Sequence, residues 1–405
     1  MNPSTSSGQA RRHDIDALRV LAFGLVILYH VAMYYVPGWG WHLKSPDPVA
    51  WLPVPMRALN LWRLDLLFVV SGLAIALLRR GNGSPAALAK QRSWRLLLPL
   101  AFGMLVVVPY QPYAQGVANG LVEPGFGRFL VRYFTRSQPW PAGAFDGWEA
   151  GITWNHLWYL AYLWFYTVLL VLLMPLLEST AGRRLRDALL KLRGAKLLVL
   201  PVLPLLVASL LLWPRFPVTH DLIHDGWVHV AYFTLFLYGY WIGLDAGFWA
   251  ELTRLRWKAL GAAVLLLAVL MSLRAALPDS PALRQLLRCM GDFYLWAAIV
   301  AVLGWAHHKL NKPWPWLAWA SEAVFPWYVL HQTLIIVLVV QLAPLGLGPV
   351  LEPALLVAGT ALGCLAITAL VRRVRWLRPL FGLKPVPAAA ASSRAPTMQP
   401  RQLPP

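Results

Sequence analysis

The sequence predicts an all-α polytopic membrane protein with about ten transmembrane helices and both termini on the cytoplasmic side. Hydrophobic residues make up 59% of the 405 residues, charged residues make up only 13%, and the mean hydropathy is +0.56. A soluble domain of this size does not need so much apolar surface, so we expect the lipid bilayer to surround most of the chain. For the same reason we expect no nucleic-acid partner, although the formal net charge is +19.

Long apolar runs recur along the chain, and most are close to the ~20 residues that cross the hydrocarbon core. The ten predicted spans cover about 18–36, 61–78, 95–111, 155–177, 196–213, 227–244, 258–275, 289–306, 321–341 and 349–371. We therefore expect a cytoplasmic segment at 1–17, a membrane domain at 18–378 and a disordered, Pro/Ala/Ser-rich cytoplasmic tail at 379–405. The longest outer loop, about 112–154, is expected to form a partly ordered cap.

The basic residues set the predicted orientation. With the N-terminus inside, the inner loops and both terminal segments hold 26 of the 36 lysines and arginines. Loops rich in Lys and Arg stay on the cytoplasmic side, so this distribution favours ten spans with both termini inside.

The first span carries two polar residues that an apolar helix would not need. Arg19 and His30 are eleven positions apart, which is three turns plus about 20°, so both lie on one stripe roughly 16 Å apart. Two costly polar groups on one stripe indicate a functional site. The alternatives are an Arg19 whose charge reaches the interface and a His30 that is a hydrogen-bonded core residue.

The second span places a carboxylate at a comparable depth. Asp65 lies about one turn inside its outer end, close to the expected level of His30. A carboxylate beside an imidazole can fix its tautomer and raise its basicity, so we predict His30 and Asp65 as a catalytic pair. The alternative is an Asp65 paired with Arg63 or Arg57 at the surface. Ser71 lacks the surrounding glycines of a nucleophile elbow.

The third span begins with two arginines on one face. Arg92 and Arg95 are three positions apart at the cytoplasmic end, at the expected depth of Arg19. Guanidinium groups bind phosphates bidentately, so these three arginines predict a site for a polyanion. The alternative is that they are ordinary residues of the positive inner side.

Two further histidines lie in the spans. His156 begins the fourth span between Trp154 and Trp158, and His331 lies near the middle of the ninth. A histidine facing lipid at that depth would be costly, so we expect His331 to line an internal cavity. The tryptophans are expected to anchor the interface or to stack on sugar rings.

An outer loop contains the segment HDLIHD. Its first and fifth residues, His220 and His224, have a spacing that one helix face could present to a metal. Apart from His229, no further ligands cluster there, and we predict no metal site.

Several of these segments resemble one known family. Arg19 and His30 match the signature in the first span of the membrane-bound acyltransferase 3 family. Four later segments look like its further motifs in the same order: DLLFVVSG at 65–72, QRSWRLLLP at 91–99, HLWYL at 156–160 and FPWYVLHQ at 325–332. The likeness extends across all ten predicted spans.

This resemblance implies an acyl-CoA-dependent O-acyltransferase in the bacterial inner membrane. Acyl-CoA is then a donor substrate, and no tightly bound cofactor is expected. The first span and the WGWHLKS loop look most like the members that succinylate periplasmic glucans, which implies succinyl-CoA as donor and a periplasmic glucan as acceptor. Arg19, Arg92 and Arg95 would hold the CoA phosphates, and the extended pantetheine, about as long as the rise from Arg19 to His30, would carry the thioester to His30.

A succinyl group also needs a cation for its distal carboxylate, because an unpaired buried carboxylate is heavily penalised. At the outer depth of His30, Arg63 is the best candidate, ahead of Arg57, Lys44 and His42.

The sequence is also compatible with other functions. An O-acetyltransferase for another polysaccharide or a lipid is the alternative within the same class of enzyme. A transporter or flippase could use the same buried Arg and His residues, and a scaffold for glucan synthesis would tolerate loss of His30. Besides the lipid bilayer, the expected partners include further copies of this chain or the glucan-synthesis machinery.

Overall fold

The structure is a computed structural model that describes residues 12–79 and 84–385, and all regular secondary structure in those ranges is helical. The first eight helices are α1 His13–Tyr35, α2 Pro53–Asn60, α3 Arg63–Arg79, α4 Pro85–Phe102, α5 Tyr110–Ala118, α6 Phe126–Thr135, α7 Trp158–Leu177 and α8 Thr180–Leu190. The remaining eight are α9 Ala195–Val199, α10 Leu203–Leu211, α11 Gly226–Ile242, α12 Ala246–Ala276, α13 Pro281–Leu310, α14 Leu317–Leu342, α15 Gly348–Arg373 and α16 Leu377–Leu380.

Eight helical stretches in the described residues are long and apolar enough to cross a membrane, which confirms the all-α polytopic class. A ninth candidate is the pair Thr180–Leu190 and Ala195–Leu211, whose two parts are bent by 116°. The predicted span 227–244 corresponds to α11, which has only 17 residues. A count of ten spans therefore stays a prediction.

Helix α1 begins earlier than predicted. It starts at His13 instead of residue 18, because Asp14 is fully buried and ties the first turn to the bundle. The Asp14 carboxylate accepts hydrogen bonds from the guanidinium of Arg12, at 2.9 and 2.7 Å, and lies 2.7 Å from Nδ1 of His307. Residues 1–11 of the predicted N-terminal segment lie outside the described residues.

The predicted tail at 379–405 is partly folded. Phe381 and Leu383 are buried in the main hydrophobic core, so residues 379–385 pack against the bundle. The apolar side chains of FGL at 381–383 account for this packing. Residues 386–405 lie outside the described part of the chain.

Helix α3 runs through the core and packs directly against α11. A Cβ atom on Gly72 of α3 would lie 2.0 Å from the carbonyl oxygen of Phe236, and one on Gly239 of α11 would lie 2.0 Å from that of Val69. These two glycines let the two backbones touch, as small residues do between membrane helices.

The loop predicted as a cap is ordered. It contains α5 and α6, and its own hydrophobic cluster is aromatic. The buried members of this cluster are Phe129, Tyr133, Trp140, Ala144 and Phe145. The cap covers the end of the bundle at which α1 ends. We call this end the loop end, and we call the opposite end, where α1 begins and Arg19 lies, the basic end.

Candidate functional site

A cavity of about 650 Å³ opens at the loop end, and we call it the histidine cavity. Its wall includes Tyr29, His30, His42, Trp154, His156, Trp158 and His220. The wall of this cavity is thus formed by residues of α1, of the loops that follow α1 and α10, and of the start of α7. Among the predicted site residues, it brings together His30, His42, His156 and the two tryptophans.

His30 is hydrogen-bonded to His331, and the direction of this bond can be deduced. Nδ1 of His331 lies 2.8 Å from the carbonyl oxygen of Tyr328 and 3.1 Å from that of Trp327, so it must carry the proton. In a neutral His331 ring, Nε2 is then an acceptor, and the atom 2.8 Å away, Nδ1 of His30, is its donor. His30 is therefore protonated on Nδ1, and its Nε2 carries a lone pair.

The other two histidines of this polar cluster are fully engaged. Nε2 of His156 lies 3.2 Å from the carbonyl of Val329, while its Nδ1 accepts from the amide of Gln111 at 3.2 Å. Nδ1 of His42 lies 2.8 Å from Oε1 of Gln115, and its Nε2 lies 2.8 Å from Nε2 of Gln332. Of the four histidines His30, His42, His156 and His331, only His30 keeps a ring nitrogen without a partner among the described residues. A neutral imidazole in this state can accept a proton.

Glutamines that were not singled out from the sequence connect this cluster. The amide of Gln332 donates to Oε1 of Gln111 at 3.1 Å, and the amide of Gln111 donates to Thr333 at 2.7 Å. Gln111 is fully buried and follows a π-helical turn at Gly103–Val107 that continues α4. Uncharged amides inside apolar runs were the signal that could have identified these residues.

Local backbone geometry fixes His156 at the start of α7. Asn155 has a positive φ of 43°, a conformation that asparagine tolerates better than most residues. Its backbone N–H donates to the hydroxyl oxygen of Thr153 at 3.0 Å, and its side-chain amide donates to Oε1 of Gln111 at 3.0 Å. Tyr328 donates its hydroxyl to the carbonyl of His156. The ring of His156 is thereby held against the α14 segment that carries His331.

A second cavity, of about 310 Å³, lies at the basic end, and we call it the basic cavity. Arg19, Arg92 and Arg95 all line it, so the structure brings the three predicted arginines together. Nε of Arg92 is buried without a hydrogen-bond partner. Of the two acidic residues in the wall, Asp16 lies 3.9 Å from Arg19, and Glu322 is paired with arginines outside the cavity. The cavity wall thus has an excess of positive charge.

One layer of aromatic rings separates the two cavities. The ring of Phe23 lies 5.4 Å from that of Tyr328 and 6.4 Å from that of Tyr159. All three rings line the basic cavity, and the ring of Tyr328 is 6.0 Å from that of His331. Ser71 also lines the basic cavity, where its hydroxyl is 2.7 Å from that of Tyr159. Arg19 and His30 lie on opposite sides of this layer, with about 16 Å of helix between them.

The structure does not bring Asp65 to the ring of His30. Asp65 is buried near the start of α3, where its main electrostatic interactions are with Arg288, Asp292 and Arg63. The hydrogen bond that fixes the tautomer of His30 comes from His331 instead. The prediction that Asp65 orients His30 therefore lacks geometric support. His331 is fully buried behind His30 and is not among the residues that line the histidine cavity, so the prediction that it lines a cavity lacks support as well.

Arg63 is buried without a carboxylate partner. It is 3% exposed, and its guanidinium carbon lies 3.4 Å from the ring centroid of Tyr29, which lines the histidine cavity. Nε and Nη1 of Arg63 have no hydrogen-bond partner. No ion pair joins Arg63 to Asp65 in the described residues, so the alternative of a salt bridge between them is not observed.

Lys44, another cation considered for the carboxylate, has a different role. Its ammonium group donates to the backbone carbonyls of Met33 and Val36 and so caps the C-terminal end of α1.

The two tryptophans differ in what they offer to a ligand. The ring of Trp158 stacks on that of His220 at 4.0 Å, so this face of the indole is covered. Nε1 of Trp154 donates to the carbonyl oxygen of His220 at 3.0 Å. Of these two residues, Trp154 retains the more open ring for the predicted stacking on a sugar.

Comparison with known proteins gives one positive result. The family model of the acyltransferase 3 domain matches residues 12–370. Neither the curated proteins nor the solved structures give a match. The matched range contains both cavities and all the residues that connect them, and it covers most of the 405 residues. The chain therefore belongs to the acyltransferase 3 family.

Proposed function

We propose that this chain transfers an acyl group from acyl-CoA, bound in the basic cavity, to a hydroxyl group of an acceptor in the histidine cavity. The observation that carries the proposal is the chain of hydrogen bonds from the Tyr328 carbonyl through His331 to His30, which leaves Nε2 of His30 free in the cavity. This arrangement is what a general base requires, because the proton acceptor is oriented and its tautomer is fixed.

In this mechanism the acceptor hydroxyl gives its proton to Nε2 of His30 while its oxygen attacks the thioester carbonyl carbon. A carbon–oxygen bond forms and the carbon–sulfur bond breaks. The proton then passes from Nε2 to the leaving thiolate of CoA. His331 acts as a positioning residue, since its Nε2 accepts the hydrogen bond from Nδ1 of His30 throughout.

The basic cavity supports acyl-CoA as the donor. CoA carries several phosphates, and Arg19, Arg92 and Arg95 supply clustered guanidinium groups without enough carboxylates to neutralise them. The distance of about 16 Å along α1 suits the length of an extended pantetheine arm. The arm would have to pass the aromatic layer at Phe23, Tyr159 and Tyr328, so these side chains must move during binding.

For the acyl group we propose succinyl. Nε and Nη1 of the buried Arg63 have no hydrogen-bond partner, and no carboxylate among the described residues forms an ion pair with it, so its charge favours an anion nearby. Arg63 stacks on Tyr29, whose ring lines the histidine cavity beside His30, and this supports a carboxylate on the transferred group as its ligand. The resemblance of the first span to that of glucan biosynthesis protein C, which succinylates periplasmic glucans, supports the same choice and adds a glucan acceptor. The protein would then lie in the bacterial inner membrane with its basic end in the cytoplasm.

The test is an assay of the purified full-length protein in lipid nanodiscs. Succinyl-CoA and unsubstituted periplasmic glucan are supplied, thiol release is followed, and the glucan is analysed by mass spectrometry. We expect succinyl esters on the glucan together with an equal amount of free CoA. A protein that binds or moves these compounds without forming an ester would be a transporter, and ester formation with acetyl-CoA alone would point to an O-acetyltransferase.

A further inference from the structure

The loop between α10 and α11 forms part of the wall of the histidine cavity, and one carboxylate organises it. We call residues 218–225 the Asp225 loop. The buried Asp225 carboxylate accepts hydrogen bonds from the backbone and hydroxyl of Thr219, at 2.6 and 2.9 Å, and from the backbone of His220 at 2.7 Å. The hydroxyl of Tyr162 donates to it at 2.5 Å. These four hydrogen bonds to one carboxylate stabilise the loop in this conformation.

This conformation is strained. His220 and Leu222 have φ values of +56° and +71°; histidine enters this left-handed region more often than most residues, but leucine seldom does. Leu222 is held there from both sides: its N–H donates to the hydroxyl of Tyr162 at 2.9 Å, and its carbonyl lies 3.0 Å from Nε2 of His229. Backbone strain that the surroundings maintain is concentrated at functional sites.

The strained loop presents the ring of His220 to the cavity. The ring stacks on Trp158, and the carbonyl of His220 accepts from Nε1 of Trp154. Neither ring nitrogen of His220 bonds to any described residue; Nε2 is buried, so Nδ1 is the nitrogen that a ligand in the cavity can reach. His42 and His156 in the same wall have both nitrogens satisfied. A polar group left without a partner in a structured cavity wall requires an explanation.

We propose that His220 is an acceptor-binding residue, whose ring forms a hydrogen bond with a hydroxyl group of a carbohydrate in the histidine cavity. A polyhydroxylated acceptor fits this wall, because an unsatisfied imidazole lies beside the indole of Trp154, and sugars bind through hydrogen bonds and ring stacking. The inference rests on the proposed function, since it assumes that the acceptor occupies this cavity. On this inference, the Asp225 loop helps to bind the acceptor, and it takes no part in donor binding or in proton transfer.

The experiment compares His220→Phe with His220→Asn and His224→Phe in the nanodisc assay, with unsubstituted glucan as acceptor. Phenylalanine keeps an aromatic ring that can stack on Trp158 and removes both ring nitrogens, whereas asparagine keeps a polar group and tolerates a positive φ. His224 lies in the same loop, but it is exposed and pairs with Asp221 at 2.5 Å, so it serves as the control.

We expect His220→Phe to raise KM for the glucan about two- to tenfold, as loss of one hydrogen bond predicts, with kcat and KM for succinyl-CoA unchanged. His220→Asn should recover part of this loss, and His224→Phe should behave like the wild type. An unchanged glucan KM in His220→Phe, or an equal rise in the KM of donor and acceptor, would overturn the inference.

Calorimetric titration of glucan separates this inference from the proposed function. If the wild type forms no ester but binds glucan more tightly than His220→Phe does, the acyl transfer is refuted and the role of His220 stands. If both proteins bind glucan equally, or the wild type binds none, the role of His220 is refuted whatever the assay shows.

Discussion

At the scale of single residues, the direction of two hydrogen bonds decides which nitrogen of His30 can take a proton. Because Nδ1 of His331 donates to backbone carbonyls, Nδ1 of His30 must donate to His331. We predict that His30→Ala lowers kcat by about 10²–10⁴, the usual contribution of a general base. His331→Ala should also lower kcat, by less, because the base remains but loses its orientation.

The double variant tests whether these two residues act as one unit. If His331 acts only through His30, the variant lacking both side chains should be no slower than His30→Ala, since contributions of a coupled unit are not additive. Turnover of each variant is measured beside its unfolding temperature in detergent, so that loss of the fold is recognised. Additive losses would mean that His331 contributes independently, and near-wild-type turnover of a folded His30→Ala would remove His30 from the mechanism.

A second prediction concerns Arg63 and the choice of acyl donor. If its guanidinium binds the distal carboxylate, Arg63→Ala should depress turnover of succinyl-CoA far more than that of acetyl-CoA. The loss of a charge-assisted hydrogen bond, about 1.5–3 kcal/mol, corresponds to roughly a 10- to 150-fold effect on succinyl-CoA. Both donors are assayed on the same purified variant. An equal fall with both donors would indicate that Arg63 has a structural role.

The sequence identified several of these residues but not their pairing. The shared stripe of Arg19 and His30 follows from helix periodicity, and the clustering of Arg92 and Arg95 follows from their spacing. The contact between His30 and His331 joins positions 301 residues apart, and no local pattern reports such a contact. Depth in the membrane alone predicts Asp65 as the partner of His30, and depth does not report the direction in which each side chain points around its helix.

At the scale of helices, the close contact of α3 and α11 depends on glycine. We predict that Gly72→Ala and Gly239→Ala each lower the unfolding temperature in detergent by several degrees, because the added methyl group would meet a backbone carbonyl at 2.0 Å. Overpacking of this kind costs about 1–3 kcal/mol even where side chains can adjust, and a backbone adjusts less readily.

Gly24 provides a matched control for these substitutions. It lies in α1, and a Cβ added there would have no atom within 4 Å. Gly24→Ala should therefore leave the unfolding temperature unchanged, while it tests the same change from glycine to alanine in a membrane helix. If all three variants had the same unfolding temperature, the α3–α11 contact would be looser than the structure indicates.

Helix positions were more predictable than helix shapes. Apolar runs of about 20 residues locate α1, α7 and α14, because hydrophobicity along the chain is a local property. The bend of 116° between Thr180–Leu190 and Ala195–Leu211 was not predicted, since it depends on how the two parts pack against the remaining helices. The π-helical turn at Gly103–Val107, which directs Gln111 into the histidine cluster, likewise has no simple signature in the sequence.

At the scale of the whole molecule, the two cavities lie toward opposite ends of α1, as the proposed transfer across a membrane requires. The basic cavity begins where α1 begins, the histidine cavity lies toward the other end of α1, and a layer of aromatic rings separates them. A donor that enters from the basic end and an acceptor that enters from the loop end would meet at His30 without either crossing the bilayer. This arrangement distinguishes the proposed enzyme from one that takes both substrates from the same side.

Sealed proteoliposomes test this separation, because acyl-CoA and glucan do not cross a bilayer. With succinyl-CoA outside and glucan enclosed inside, molecules whose basic end faces outward should form succinyl glucan in the lumen. With both compounds outside, each orientation meets only one substrate at its proper end, and we expect little ester. Detergent should then restore transfer in this second arrangement, and His30→Ala should stay inactive in both. Efficient transfer in intact vesicles when both substrates are outside would show that the acceptor reaches His30 from the same side as the donor, and the aromatic layer would then need another role.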